Sequence, residues 1–175
     1  LRDPYASVEC EKRTSRILNS DGSLVFDAKD IDIPKAWSTI AGDIFASKYM
    51  RKAGVPQTDE DGTRRLDANG QPLLGPEPGA GQVIHRLVSC WRHWGEEYGY
   101  FASSDAAAAF QDELAYMLLH QMAAPNSPQW FNTGLNHTYG ITGPSQGHYY
   151  VDPDTGKTQV SEDAYGRPQP HACFI

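Results

Sequence analysis

Apolar residues recur at three- and four-residue intervals in three stretches of the chain, a spacing that predicts three amphipathic helices. The first helix is expected to begin at Pro34 and to end near Gly54. The second covers residues 82–98, and the third follows a cap signal at Ser103 and ends at Pro125. The predicted apolar faces comprise Trp37, Ile40, Ala41, Ile44, Phe45 and Tyr49 in the first helix, Val83, Leu87, Cys90 and Trp94 in the second, and Phe110, Leu114, Met117 and Leu118 in the third.

Turn residues between these stretches predict two β-hairpins. The sequence Asn-Ser-Asp-Gly at 19–22 separates two short apolar runs, and Asp-Thr-Gly at 154–156 lies in a polar stretch that suits a second turn. Residues 55–81 are rich in Asp, Gly, Pro and Gln, so they are predicted to form a long loop with a small hairpin at Asn69 and Gly70. This loop is the part of the chain best suited to disorder or insertion.

Residues 127–152 place five aromatic side chains among glycines, prolines and asparagines, a pattern that fits neither a helix nor a long strand. The final stretch, "HACFI", alternates as a strand with His171, Cys173 and Ile175 on one face. Because a lone strand ending on Phe-Ile leaves an unpaired apolar edge, we expect it to belong to a larger sheet in a chain that continues past Ile175. The predicted fold class is α+β and mainly helical, with a hairpin-and-helix domain at 1–124 and a second unit at 125–175.

Charge and cysteine content narrow the possible functions. A net charge of −7 and a pI near 5.2 argue against non-specific binding to nucleic acid or to an anionic membrane. No apolar run approaches the roughly 20 residues that cross a bilayer. Cys10, Cys90 and Cys173 form no close pair, which favours a reducing cytoplasm and argues against a structural zinc or other metal site. Cys90 lies on the apolar face of the second predicted helix, so it is interpreted as a small core residue.

Several motifs, taken in order, resemble one enzyme family. They are "EKRTSRILNSDGSLVF", "KYMRKAG", "VIHRLVSCWRHWG", "MAAPNSPQWFNTGL", "GPSQGHYYVD" and "RPQPHACFI". Together they are similar to the amino-terminal region of adenosylcobalamin-dependent (class II) ribonucleotide reductases, over nearly the whole chain apart from residues 55–81. The most specific combination is Asn-Ser-Pro before an aromatic pair, followed some forty residues later by Ala-Cys-Phe on a strand.

The resemblance implies a fold and a set of site residues. In this family a ten-stranded α/β barrel holds the active site, and the chain would lead into its first strand without completing it. Cys173 matches one of two cysteines that form a disulfide during turnover, and Ala172 matches a residue that lines the substrate site. Ser127 matches a residue that contacts the substrate phosphates. The radical-forming cysteine, the second reducing cysteine and most contacts to adenosylcobalamin would follow Ile175, so the chain alone is expected to be inactive.

The resemblance also implies partners and a chemistry. The partners would be a ribonucleotide substrate, nucleotide effectors, a thioredoxin-like reductant and a second copy of the protein in a homodimer. A thiyl radical removes the ribose 3′-hydrogen, after which the 2′-hydroxyl leaves as water with the help of a proton donor. Cys173 suits this role because a thiol with a pKa of about 8.5 stays protonated at neutral pH and can then give up electrons as a disulfide. Ser127 and nearby backbone N–H groups could bind a diphosphate without a strongly basic surface.

Three functions stay open at this point. The chain could be the amino-terminal part of a reductase, a non-catalytic docking domain, or an unrelated thiol enzyme. Without the resemblance, Cys173 would be a buried structural cysteine and Ser127 a turn residue before proline. A Cys-His hydrolase built on Cys173 and His171 is disfavoured, because residues two apart on a strand lie about 6.5–7 Å apart, too far for direct proton transfer.

Overall fold

An antiparallel hairpin opens the fold, as the turn residues predicted. The computed structural model describes residues 3–59, 61–145 and 147–168. Strand β1 (Cys10–Leu18) pairs with strand β2 (Leu24–Pro34), and Gly22 takes the positive φ of +84° that the connecting turn requires. The hairpin buries Ile31 and Ile33 against the helices that follow.

The first helix is shorter than predicted and faces a different way. Helix α1 (Thr39–Ile44) is capped by Ser38 and continues as one π-helical turn (Phe45–Tyr49), in which Met50 N–H donates to the Phe45 carbonyl. Helix α1 packs on the hairpin through Gly42, where an added Cβ atom would lie 3.5 Å from Ile33. Phe45, Ala46 and Met50 enter the core from the same side, while Ile40 is 71% exposed. The prediction that Ile40 and Ile44 lie on the buried face is therefore wrong.

The predicted start at Pro34 is also wrong. Pro34 is the last residue of β2, and the Arg13 guanidinium donates to the carbonyls of Trp37 at 3.0 Å and of Lys35 at 3.2 Å. These bonds hold the backbone before Ser38 in a turn, so the helix begins only after that cap.

The predicted long loop contains short ladders of backbone hydrogen bonds. Strands β3 (Val55–Pro56) and β4 (Leu74–Gly75) pair antiparallel, and Gln57 N–H donates to the Leu73 carbonyl at 2.8 Å. The small hairpin predicted at Asn69 and Gly70 is present: Gly70 has φ +74°, and Asp67 N–H donates to the Gln71 carbonyl. Apart from Glu60, which lies outside the described residues, this stretch has a defined path.

The two long helices are present where the sequence predicted them, but the later one ends at Leu119 and not at Pro125. Helix α2 (Ala80–Glu97) and helix α3 (Ser104–Leu119) pack against each other, and the Ser103 hydroxyl caps α3 by accepting from Ala106 N–H at 3.2 Å. Phe110 and Met117, which belong to the predicted apolar face of α3, are exposed. The Trp37 indole joins the hairpin side of the core to α3 by donating to the Leu119 carbonyl at 2.7 Å. The core formed by these elements includes Ile31, Ile33, Trp37, Phe45, Ala46, Met50, Ala80, Val83, Ile84, Leu87, Val88, Ala115, Leu118, Leu119 and Trp130.

The ring-rich segment contains two short helices that its sequence did not predict. Helix α4 (Ser127–Asn132) is capped by Asn126, and helix α5 (Leu135–Tyr139) ends at Gly140. With six and five residues, neither helix is long enough to show the apolar periodicity on which the prediction relied. Trp130 and Leu135 are buried, whereas Tyr149 is 60% exposed.

The remaining described residues form the second predicted hairpin. Strands β5 (Tyr149–Val151) and β6 (Thr158–Val160) pair antiparallel around a turn in which Gly156 has φ +65°. The described architecture is therefore α+β, as predicted. The boundary at residue 124 stays a prediction, and the "HACFI" strand lies outside the described residues. None of the described helices combines the length and apolar character needed to cross a membrane.

The cap of α3 gives a direct test of this fold. Replacing Ser103 with alanine removes the acceptor for Ala106 N–H, so we expect the free energy of unfolding to fall by about 1 kcal/mol. Ser104→Ala is the matched control, because Ser104 follows the cap as the first helical residue and should change stability by less than half as much. Urea denaturation followed by circular dichroism measures both, and equal effects would contradict the capping role.

Candidate functional site

A buried ion pair joins the end of the long loop to α2. The side chains of Arg86 and Glu77 are both 0% exposed, and Arg86 Nε donates to Glu77 Oε1 at 2.7 Å. A second bond runs from Arg86 Nη2 to Glu77 Oε2 at 3.3 Å. Because charges removed from water are costly unless every polar atom is satisfied, the further partners of this pair matter as much as the pair itself.

Glu77 connects the ion pair to the segment that follows the π turn. Its Oε2 accepts from Arg51 N–H at 2.7 Å, and its own N–H donates to the Arg51 carbonyl at 2.8 Å. Its Oε1 also accepts from the Tyr139 hydroxyl at 2.8 Å. Burial, together with the neighbouring Glu77 charge, raises the pKa of Tyr139, which therefore stays a neutral donor. One carboxylate thus fixes the backbone at residue 51 and the end of α5.

Arg86 connects the same pair to α4. Its guanidinium donates to the carbonyls of Trp130, at 3.1 Å, and of Thr133. The chain passes so close that a Cβ atom at Gly134, where φ is +81°, would lie 2.3 Å from the Arg86 carbonyl oxygen. Only glycine satisfies both the left-handed backbone and this approach. The result is that α4 is bound to α2 through carbonyl oxygens rather than through side-chain packing alone.

Ser127, the predicted phosphate-contacting residue, lies exposed at the start of α4. Its Oγ is 3.3 Å from the Tyr49 hydroxyl. Tyr49 stacks on Trp130 with ring centroids 5.8 Å apart and lies 5.7 Å from the Phe131 ring. Trp130 in turn meets Phe45 edge to face in the core. The aromatic residues therefore support the backbone on which Ser127 is presented.

A cleft lies beside this hydroxyl pair, and we refer to it as the cationic cleft. It holds about 310 Å³ and is lined by Lys48, Tyr49, Met50, Arg51, Lys52, Ala53 and Phe131. Tyr49 belongs both to the cleft and to the contact with Ser127, so the two features form one surface.

Comparison with known proteins shows to which family the chain belongs. The sequence model of the class II vitamin B12-dependent ribonucleotide reductases matches residues 11–121. The chain belongs to this family. It is 48% identical over 99% of its length to a vitamin B12-dependent ribonucleotide reductase of Bradyrhizobium diazoefficiens, and 49% identical over 98% to one of Agrobacterium fabrum. A third relative of that name, from Rhodopirellula baltica, is 30% identical over 99% of the chain.

The reductase chain corresponds to a small part of these relatives. It spans about 15% of the length of each of the three. The family resemblance read from the motifs is thereby confirmed, including its extent over nearly the whole chain. Of the predicted site residues, the structure describes Ser127, whereas Ala172 and Cys173 lie outside the described residues.

The two other cysteines of this reductase chain differ in environment. Cys90 is 1% exposed within α2, and burial is the main reason that the pKa of its thiol is raised to about 12. It is a core residue, as the sequence predicted, and a thiol in this state is a poor nucleophile. Cys10 is exposed at the start of β1. Partial burial of its sulfur, and then the negative charge of Asp32, still raise the pKa of its thiol.

Four clefts along the described residues are each smaller than a cobalamin molecule. Clefts along these residues hold about 170, 310, 480 and 520 Å³. Pockets for ordinary small ligands span roughly 300–1,000 Å³. A corrin ring with its nucleotide tail is far larger than such a ligand. The described residues also hold no group of three or more His, Cys, Asp or Glu placed to bind a metal ion.

Sequence reasoning missed the Arg86–Glu77 pair, although one signal for it exists. In "VIHRLV" an arginine stands between Ile84 and Leu87, on the face of α2 that the apolar pattern buries. A charged residue at such a position is almost never fully buried unless it is paired. The partner could not be inferred, because Glu77 lies in the stretch predicted to be an irregular loop.

Removing one member of the pair tests its role. In Arg86→Met the aliphatic stem is kept, but Glu77 is left buried without its counter-charge and two carbonyls lose a donor. We expect the free energy of unfolding to fall by about 3–5 kcal/mol, measured by urea denaturation. Arg92→Met is the control, because Arg92 pairs with Glu96 on the surface of the same helix and exposed pairs contribute roughly 0.2–1 kcal/mol. Similar losses in both variants would show that the buried pair has no special role.

Proposed function

We propose that this chain is the amino-terminal part of a reductase that converts ribonucleotides to deoxyribonucleotides with adenosylcobalamin. The observation that carries the proposal is the 48–49% identity over nearly the whole chain to relatives named as vitamin B12-dependent ribonucleotide reductases. The chain continues in this proposal into a ten-stranded α/β barrel, whose first strand contains Cys173. The radical-forming residue and the cobalamin contacts belong to the longer protein, so the chain alone is inactive and binds cobalamin weakly.

Ser127 is proposed to contact the phosphates of the ribonucleotide. Its hydroxyl offers one donor and two acceptor positions, and the single contact to Tyr49 at 3.3 Å leaves capacity for a ligand. The capped α4 and the buried Trp130 hold the residue in place. Groups that bind substrate work best when they are fixed before the substrate arrives.

Cys173 is proposed to be one of the two reducing thiols, and Ala172 to line the substrate site. When the 2′-hydroxyl leaves as water, a thiol supplies the proton, and the thiol pair is oxidised to a disulfide as the sugar gains two electrons. A thioredoxin-like reductant then restores the two thiols. Nucleotide effectors, a homodimer and a cytoplasmic location complete the proposal.

The phosphate role of Ser127 can be separated from a structural one. In the full-length reductase, Ser127→Ala should weaken ribonucleotide binding about tenfold or more and leave effector binding unchanged, because a hydrogen bond to a charged group contributes roughly 1.5–3 kcal/mol. Ser127→Thr is the matched control, because it keeps a hydroxyl at the same position and should keep most of the affinity. Equilibrium binding with substrate and effector measures both variants, and an equal loss of substrate and effector affinity in Ser127→Ala would make the serine a structural residue.

The redox role of Cys173 has its own test. In the full-length reductase, Cys173→Ser should abolish multiple turnover while nucleotide binding stays nearly intact, since serine cannot form the disulfide. Cys10→Ser is the control, because this exposed cysteine has no proposed part in the reaction. Steady-state deoxynucleotide formation measures the effect, and continued turnover of the Cys173 variant would refute the assignment.

A further inference from the structure

We propose that the cationic cleft binds the polyphosphate group of a nucleotide, with Lys48, Arg51 and Lys52 as the counter-charges. This inference rests on the proposed function and extends it, because it assigns to the anionic substrate a set of cations that the family motifs did not. In the sequence, Lys48, Arg51 and Lys52 fall in the last turns of the first predicted helix, where cations suit the negative end of the helix dipole. The structure places them around one cleft instead.

The charge distribution is the first argument. The chain has 22 acidic and 15 basic residues, yet three cations within five positions line this cleft, and no described acidic residue lines it with them. Within the described ranges, Lys48 and Lys52 belong to none of the ion pairs, while Lys12, Lys35 and Arg86 each have an acidic partner. Uncompensated cations in a strongly acidic protein favour an anionic ligand.

The second argument is that the cations are positioned before any ligand binds. The Arg51 backbone is held on both sides by Glu77, and its Nε donates to the Ala53 carbonyl at 3.0 Å. The Arg51 guanidinium also lies over the Tyr165 ring at 5.6 Å. Lys52 Nζ lies 4.7 Å from the centroid of the Phe26 ring. Contacts of this kind lower the entropy lost on binding and leave guanidinium and ammonium donors for phosphate oxygens.

The third argument is continuity with Ser127. Tyr49 lines the cleft and lies 3.3 Å from the Ser127 hydroxyl through its own hydroxyl, while Phe131, beside Tyr49, provides an apolar part of the wall. A volume of about 310 Å³ is near the lower limit for a small-ligand pocket, which suits a polyphosphate better than a complete nucleotide. Ser127 would then contact one end of the phosphate chain, and the three cations the other.

The test measures binding of inorganic pyrophosphate to the 175-residue chain by titration calorimetry at constant ionic strength. We expect the double variant Lys48→Gln/Lys52→Gln to lower the affinity at least tenfold. The matched control is Arg64→Gln/Lys157→Gln, which changes the net charge equally at two exposed positions outside the cleft and should stay within twofold of the parent.

Three results would overturn the inference: no pyrophosphate binding at millimolar concentration, equal losses in both double variants, or equal displacement of pyrophosphate by sulfate. If the full-length reductase carrying Lys48→Gln and Lys52→Gln keeps its KM for ribonucleotide, the inference about the cleft fails while the proposed function stands. If the parent full-length protein forms no deoxyribonucleotide, the proposed function fails, whether or not the chain binds pyrophosphate.

Discussion

The ion pair between Arg86 and Glu77 is the contact on which the candidate site depends, because each partner uses its remaining atoms to hold a different segment. Glu77 fixes the backbone at Arg51, directly after the π turn, and Arg86 fixes the carbonyls at the end of α4. These are the two segments that form the cationic cleft and present Ser127. The relative position of the cations and the hydroxyl therefore follows from one pair of buried charges.

Joining two segments through a buried ion pair costs free energy. Removing a carboxylate and a guanidinium from water costs several kcal/mol for each ion, and well-packed apolar residues often stabilise a core as well or better. Apolar contacts depend little on direction, whereas hydrogen bonds fix the relative position of the two segments that they join. The fork of Arg86 reaches Glu77 and two carbonyls at once, so α4 cannot shift along α2 without losing hydrogen bonds. Ser127, at the start of α4, is held in place by that restriction.

The sequence predicted the parts of the fold that rest on local patterns. The hairpin of β1 and β2, α2 and the cap at Ser103 were found because turn residues, apolar periodicity and a capping serine act over a few positions. The face of α1 was wrong because the helix packs through Gly42, and a glycine adds nothing to the apolar pattern from which Ile40 and Ile44 were placed inside. The family motifs located Ser127, but its neighbour Tyr49 lies more than seventy positions away, and nothing local links them. Glu77, the partner of Arg86, was missed because it lies in the stretch predicted to be an irregular loop.

Hydrogen exchange at two backbone amides tests the central claim most directly. The Arg51 N–H bonds to Glu77, and the Thr133 N–H closes the last turn of α4. If the buried pair holds both segments, Arg86→Met will speed exchange at the two amides together, while Arg92→Met leaves both protected. Unchanged protection in Arg86→Met, or loss at only one of the two amides, would contradict the claim that a single ion pair sets the geometry of this site.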